Sequence, residues 1–214
     1  IDEREIRYLC EMSNRYFTRR IGAADVVWSY SGVRPLLDDE SEDPMSVTRD
    51  YALELNPGGP PLLSVFGGKI TTYRKLAEEA VDRLARRLSC DQPAWTARAP
   101  LPGGDLPGGS FAVFLRTLER RYPWLPAVLR QRYARAYGTR VDRMLNGAGS
   151  IADLGRAVLP GLYEREIDYL RREEWARSAE DVLWRRTKLG LHLPGESAGE
   201  LAAWLLRNEA RSVA

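Results

Sequence analysis

Apolar positions in the first part of the chain keep helical spacing. Ile6, Leu9, Cys10, Ser13 and Phe17 follow the capping-box pattern Asp2-x-x-Glu5, which predicts a helix to about Phe17. The pattern then turns β-rich. Asp25-Val-Val-Trp-Ser-Tyr30 reads as a strand ending at Gly32 and leading into Val33-Arg-Pro-Leu-Leu37. Tyr51 to Leu55 alternates, Asn56-Pro-Gly-Gly-Pro-Pro61 is turn chemistry, and Leu62 to Phe66 is a second strand, so a hairpin is expected. Helical spacing returns after Gly68, with Tyr73, Leu76, Ala77, Ala80, Val81, Leu84 and Leu88 on one face and Glu79/Arg83 and Asp82/Arg86 at i, i+4 on the other.

The breaker-rich run Pro100-Leu-Pro-Gly-Gly-Asp-Leu-Pro-Gly-Gly109 interrupts this pattern and marks a connector or a lid-like loop. Beyond it the period is helical and β-branching is scarce. Six helices are predicted there: Phe111 to Arg121, Leu125 to Tyr137, Val141 to Leu145, Leu162 to Arg172, Ala179 to Leu191 and Ala198 to Arg211. Ser178-x-x-Asp181 and Ser197-x-x-Glu200 are the expected caps of the last two. Trp124, Trp175, Trp184 and Trp204 are expected to pack the helical core. The predicted fold class is α+β: a strand-and-helix portion over 1–88, a Pro/Gly-rich connector over 89–109 and an all-α domain over 110–214.

Composition narrows the function classes. With 214 residues, 44% hydrophobic and 29% charged, the chain can build a globular core. A net charge of +2 gives little field for nucleic acid. Cys10 and Cys90 match no metal spacing and His192 is the lone histidine, so no metal site is expected and the thiols read as reduced and cytosolic. His192 itself is expected to meet carbonyls at a helix end. No apolar run approaches the ~18 residues of a membrane span, and a cytoplasmic location is expected. The acidic run Asp38 to Asp43 lacks calcium-loop spacing and reads as a solvated loop. The basic clusters Arg83–Arg87, Arg116–Arg121, Arg130–Arg135 and Arg185-Arg186 read as outer helix faces, with a membrane or partner patch as the other reading.

One segment carries candidate chemistry. Leu62-Leu-Ser-Val-Phe-Gly-Gly-Lys-Ile-Thr-Thr-Tyr-Arg74 takes a strand through a glycine pair into a helix. Gly67 and Gly68 allow a tight turn and close approach of the backbone to a ligand. The N–H groups of Ile70 to Tyr73 are expected to be free, forming a positive site for an anionic or electron-rich group. Lys69 stands where a capping Ser, Asp or Asn is usual, and reads either as a ligand contact or as a solvated lysine. Thr71 and Thr72 cap the helix, donate hydroxyls to a bound ring system, or do both. Arg34, held before Pro35, offers a fork for phosphate or carboxylate, with an ion pair to Asp38 or Asp39 as the alternative.

Taken together, Val26-Val-Trp-Ser-Tyr-Ser-Gly-Val-Arg-Pro-Leu36, Thr48-Arg-Asp-Tyr51 and Leu63 to Ala77 closely resemble the FAD-dependent glycerol-3-phosphate dehydrogenases. Arg121-Tyr-Pro, Ala152-Asp-Leu-Gly155 and Asp181-Val-Leu-Trp-Arg-Arg-Thr-Lys-Leu-Gly190 resemble that family's C-terminal domain. The resemblance implies oxidation of sn-glycerol 3-phosphate to dihydroxyacetone phosphate, with electrons passing through FAD to membrane quinone, in an enzyme peripheral on the cytoplasmic membrane. It implies that Arg34 holds substrate, that Lys69 reaches the substrate and flavin, and that the backbone from Gly67 through Gly68, Lys69, Ile70 and Thr71 to Thr72 packs at the flavin. A glycerol-3-phosphate oxidase shares these motifs, and a non-catalytic helical interaction module is the reading from another class. The helical half has three candidate roles: covering the active site, supporting a homodimer, or facing the bilayer. No G-x-G-x-x-G follows a strand, so the grip on the ADP half of FAD is missing. The expectation is a C-terminal piece of a longer protein, inactive and colourless by itself.

Overall fold

The computed structural model describes residues 1–32, 50–56, 58–90 and 92–212, which hold seven α-helices and four strands. The chain forms two compact units, Ile1–Ala99 and Pro100–Ala214.

The first unit opens with α1 (Glu3–Asn14). Its capping box forms as the sequence predicts: the Asp2 carboxylate accepts from the N–H groups of Arg4 and Glu5 at 2.8 and 2.9 Å, and Glu5 accepts from the Asp2 N–H at 2.9 Å. The strand expected over Asp25–Tyr30 does not form. Asp25 closes a 3-10 turn (Ala23–Asp25) by accepting the Gly22 N–H at 2.8 Å, and Val26–Tyr30 has no ladder partner among the described residues. Strands β1 (Tyr51–Leu55) and β2 (Leu63–Gly67) make the expected antiparallel hairpin, with Tyr51 opposite Gly67 and Leu53 opposite Val65. Helix α2 (Tyr73–Leu88) returns along it. The Tyr51 hydroxyl donates to Glu79 at 2.9 Å, Glu79 pairs with Arg83 at 2.8 Å, and Arg83 donates to the Leu53 carbonyl at 2.5 Å. Among the described apolar residues of this unit only Cys10 and Leu53 are enclosed.

In the second unit, α3 (Phe111–Arg121), α4 (Ala127–Tyr137), α5 (Val141–Met144), α6 (Glu164–Glu173) and α7 (Ser197–Ser212) surround a continuous core. Leu118, Leu125, Tyr133, Val141, Ile167, Leu170, Val182 and Leu201 are wholly enclosed there. So is the carboxylate of Glu166, which takes both guanidinium nitrogens of Arg132 at 2.6 Å and the Tyr137 hydroxyl at 2.5 Å. Arg132 also donates to the Gly161 carbonyl at 2.6 Å, so the buried charge is paired and its fork is filled. The Pro/Gly run meets the end of α4 backbone to backbone. Thr139 N–H donates to the Gly103 carbonyl at 3.1 Å, and a Cβ on Gly138 would lie 1.9 Å from that same oxygen.

The helical half departs from expectation in four places. A small hairpin, β3 (Ala157–Leu159) and β4 (Leu162–Tyr163), turns at Pro160-Gly161 and delays α6 to Glu164. The helix expected over 179–191 is a π-helical stretch, Asp181–Arg186, followed by a 3-10 turn. The Thr187 hydroxyl bonds the Val182 carbonyl at 2.6 Å and accepts the Leu189 N–H at 3.2 Å, which diverts the backbone from helical pairing. Ser178 and Asp181 do cap this stretch reciprocally, at 3.0 and 3.1 Å. Ser197 is the first residue of α7 rather than its cap, with its N–H taken by the Pro194 carbonyl at 3.1 Å. Finally, Trp204 is buried and Trp124 and Trp184 half-buried, but Trp175 stands in solvent. The fold is α+β with a mostly helical second half, as its sequence predicts.

Candidate functional site

The corner between β2 and α2 is built by its neighbours. Gly67 and Gly68 both take positive φ, 74° and 98°, and turn the chain at the end of the hairpin. A Cβ on Gly68 would meet Leu76 Cδ1 at 3.0 Å and Tyr51 Cβ at 3.8 Å, so glycine lets β1, the turn and α2 close together. The clamp through Tyr51, Glu79 and Arg83 holds α2 against β1 and thereby fixes where the helix starts.

Lys69 and Thr72 form a tight turn. The Thr72 N–H and hydroxyl both donate to the Lys69 carbonyl, at 3.0 and 3.1 Å, and the Lys69 N–H reaches Thr72 Oγ1 at 3.3 Å. This moves the free donors. The helix begins at Tyr73, so its open first turn is Tyr73 to Lys75 rather than Ile70 to Tyr73, and Thr72 is its N-cap without a side-chain cap bond. Ile70 and Thr71 are exposed on the outside of the turn.

No acidic residue lies in the first turn of α2. Arg74 and Lys75, like-signed with the helix start, are both neutralised by Glu78 at 2.7 and 3.1 Å. The Thr96 hydroxyl, then Lys75, hold the Glu78 carboxyl below its ordinary range. Arg83, then Tyr51, do the same for Glu79. Glu79 in turn raises the Tyr51 phenol. Half-buried Lys69 makes no ion pair among the described residues, so its charge adds to that of the helix start. The corner can receive an anionic or electron-rich group approaching along its backbone.

Of the sequence-predicted site residues, the structure brings Gly67, Gly68, Lys69 and Thr72 into this corner with Ile70 and Thr71 on its outer edge. Arg34 and the acidic run Asp38–Asp43 lie outside the described residues. His192 is exposed, and its backbone N–H rather than its ring bonds the Leu189 carbonyl, at 2.9 Å. Among the described residues no His, Cys, Asp or Glu cluster suited to a metal ion occurs, and no helix is long and apolar enough to cross a membrane. Sequence reasoning missed Tyr51 as a positioning residue. The i, i+4 pair Glu79/Arg83 was the available signal, but its tie to Tyr51 and Leu53 exists only in the folded hairpin.

Residues 94–205 match the family model of the C-terminal domain of alpha-glycerophosphate oxidase. The chain is 51% identical over 207 residues to a glycerol-3-phosphate dehydrogenase of Pseudomonas aeruginosa, the match covering 96% of this chain and 40% of that protein. It is 46% identical over 208 residues to the aerobic glycerol-3-phosphate dehydrogenase of Escherichia coli K12, covering 96% and 41%. It is 45% identical over 204 residues to the D-erythritol 1-phosphate dehydrogenase of Brucella abortus, covering 95% and 41%. The chain thus spans about 40% of the length of the curated relatives it matches.

Proposed function

This chain belongs to the glycerol-3-phosphate oxidase/dehydrogenase family, and on that premise we propose that it is the C-terminal portion of an FAD-dependent enzyme oxidising sn-glycerol 3-phosphate to dihydroxyacetone phosphate. The observation that carries this reading is 51% identity over 96% of the chain to a glycerol-3-phosphate dehydrogenase. In it, residues 1–88 complete a flavin and substrate domain, 89–109 connect, and 110–214 form the helical C-terminal domain. The electron acceptor is membrane quinone, and the whole enzyme sits peripherally on the cytoplasmic membrane, with a homodimer as its assembly.

The corner's chemistry suits FAD. Gly67 and Gly68 take the left-handed backbone that turns the chain tightly at the corner, and the open start of α2 with Lys69 supplies positive potential. When bound, FAD supplies the acceptor for the hydride leaving the secondary carbon of the substrate. Lys69 and the N–H groups of Tyr73 to Lys75 would hold the group from the positive side of the corner, as a donor set already in place. Arg34 grips the phosphate through its planar fork and sets the reacting carbon in place.

Two observations favour narrower alternatives. The matching domain model is described by an oxidase, so oxygen is the second acceptor to test. The Brucella relative is named for D-erythritol 1-phosphate, so the substrate class is a polyol phosphate with chain length still to be ranked. The experiment is steady-state kinetics of the full-length enzyme with both substrates, against a quinone analogue and against oxygen. Glycerol 3-phosphate with quinone is expected to be fastest, and Lys69→Ala to lower kcat/KM by at least ~10-fold, the scale of one lost charged contact. Unchanged kinetics in Lys69→Ala would remove the corner from the site. The chain by itself is expected to purify without flavin colour.

A further inference from the structure

The most anomalous side chain in the second unit is Trp175. Helix α6 ends with the N–H groups of Glu174 and Ala176 both reaching back to the Leu170 carbonyl, at 3.1 and 3.0 Å. This closure puts Trp175 between them at φ 57°, a left-handed position usually held by glycine because a Cβ is strained there. Ala176 is buried, but Trp175 is 78% exposed. The Arg186 guanidinium fixes the turn by donating to the Glu174 carbonyl at 2.9 Å. The fold gains neither relaxed backbone nor core packing from this tryptophan, so the reason for it lies outside the unit.

The neighbourhood says what would cover it. Arg172 and Arg177 are exposed and make no ion pair among the described residues. Three of the nearby carboxylates are committed elsewhere: Glu173 to Arg140 and Arg143 at 2.9 and 3.4 Å, and Glu180 and Asp181 to Arg185 at 2.8 and 3.0 Å. A large rigid aromatic flanked by free guanidinium groups is the composition of an interface anchor. We propose that Trp175, with Arg172 and Arg177, docks into an apolar pocket edged by carboxylates on the rest of the longer polypeptide, the portion its relatives carry ahead of the region matched here. The inference rests on the reading of this chain as the C-terminal portion of such an enzyme. More than half of the Pseudomonas relative lies outside the match, so this fold is accompanied there by a further, larger body of chain.

Two other occupants fit less well. An anionic bilayer needs a cluster of basic residues, and residues 171–177, with three arginines against two glutamates around one indole, carry a surplus of only one. A second copy related by a two-fold axis through this patch would bring the same free guanidinium groups toward each other.

The test compares this chain alone with a chimera in which the unmatched portion of the Pseudomonas relative precedes it. In the chain alone, acrylamide should quench Trp175, isolated as the difference between the natural protein and Trp175→Phe, as readily as free indole. Trp175→Gly should raise the thermal midpoint by relieving the backbone. In the chimera the same indole should be quenched several-fold less and shift to shorter emission wavelength, and Trp175→Gly should lower the midpoint. The inference is overturned if the indole stays as open in the chimera as in the chain alone. It is equally overturned if phosphatidylglycerol vesicles, or self-association of the chain alone, cover it. None of these readouts is an activity, so a chimera that buries the indole but does not oxidise glycerol 3-phosphate sinks the functional reading and leaves the docking surface standing.

Discussion

In residues 1–99 the helices carry apolar stripes as regular as those beyond residue 100, yet Val81 and Leu88 on α2 are 59% and 71% exposed while Val141 and Ile167 are completely enclosed. Both regions obey the same local rules. The capping box on α1 and the hairpin register form as well as anything in the helical unit. The difference is that five helices and a small hairpin supply mutual cover after Pro100, whereas α1, α2 and β1–β2 have mainly polar clamps to hold them. Amphipathic pattern decides which element forms, and burial depends on whether a second apolar surface is present.

The sharpest way to break this comparison is through the charge pairs. Arg132→Met strands the Glu166 carboxylate in the core and is expected to lower stability by about 3–5 kcal/mol in urea unfolding. Arg83→Met removes a half-exposed pair and one bond to the Leu53 carbonyl and should change it far less. Equal losses would show that the first unit is as tightly held as the second. Next come the apolar side chains. Ile167→Ala should cost about 2–5 kcal/mol through the cavity it opens, and Val81→Ala should stay within about 0.5 kcal/mol in this chain. A large effect at Val81 would mean that its face is covered after all.

The smallest expected effect is on acidity. The N–H groups of Arg177 and Ser178 hold the Asp181 carboxyl down at about 2. A depressed carboxylate stabilises the fold fully above its ordinary value near ~4 and loses that contribution as pH falls through the depressed value. The stability gap between the natural protein and Asp181→Asn should therefore be flat above ~5 and close toward ~2. A gap that persists at the acid end would assign the effect to shape rather than charge.

Much of this was legible in the residues. The hairpin at Asn56–Pro61, α2, α3, α4 and α7 follow from spacing and turn chemistry, and the glycine-lysine corner was marked by Gly67 and Gly68. What escaped depends on tertiary competition. Val26–Tyr30 has strand propensity but no neighbouring strand among the described residues, and the Thr187 hydroxyl rewired a segment with good helical period. The start of α2 slipped by one turn because the Thr72 hydroxyl closed on the Lys69 carbonyl, an alternative that spacing does not rank. Trp175 reads as core because aromatic residues in a helical half usually are, but its left-handed turn after α6 leaves it in solvent.

The meeting of Gly103 with Gly138 also bears on where this polypeptide can be trimmed. Composition invites a cut after the last glycine of the Pro/Gly run, at residue 110, to give a tidy helical module. That cut would discard the carbonyl that receives the Thr139 N–H and uncover the junction between α4 and α5. Shortened versions intended to keep the helical half intact should begin no later than Pro100, and neither glycine of the contact tolerates replacement even by alanine.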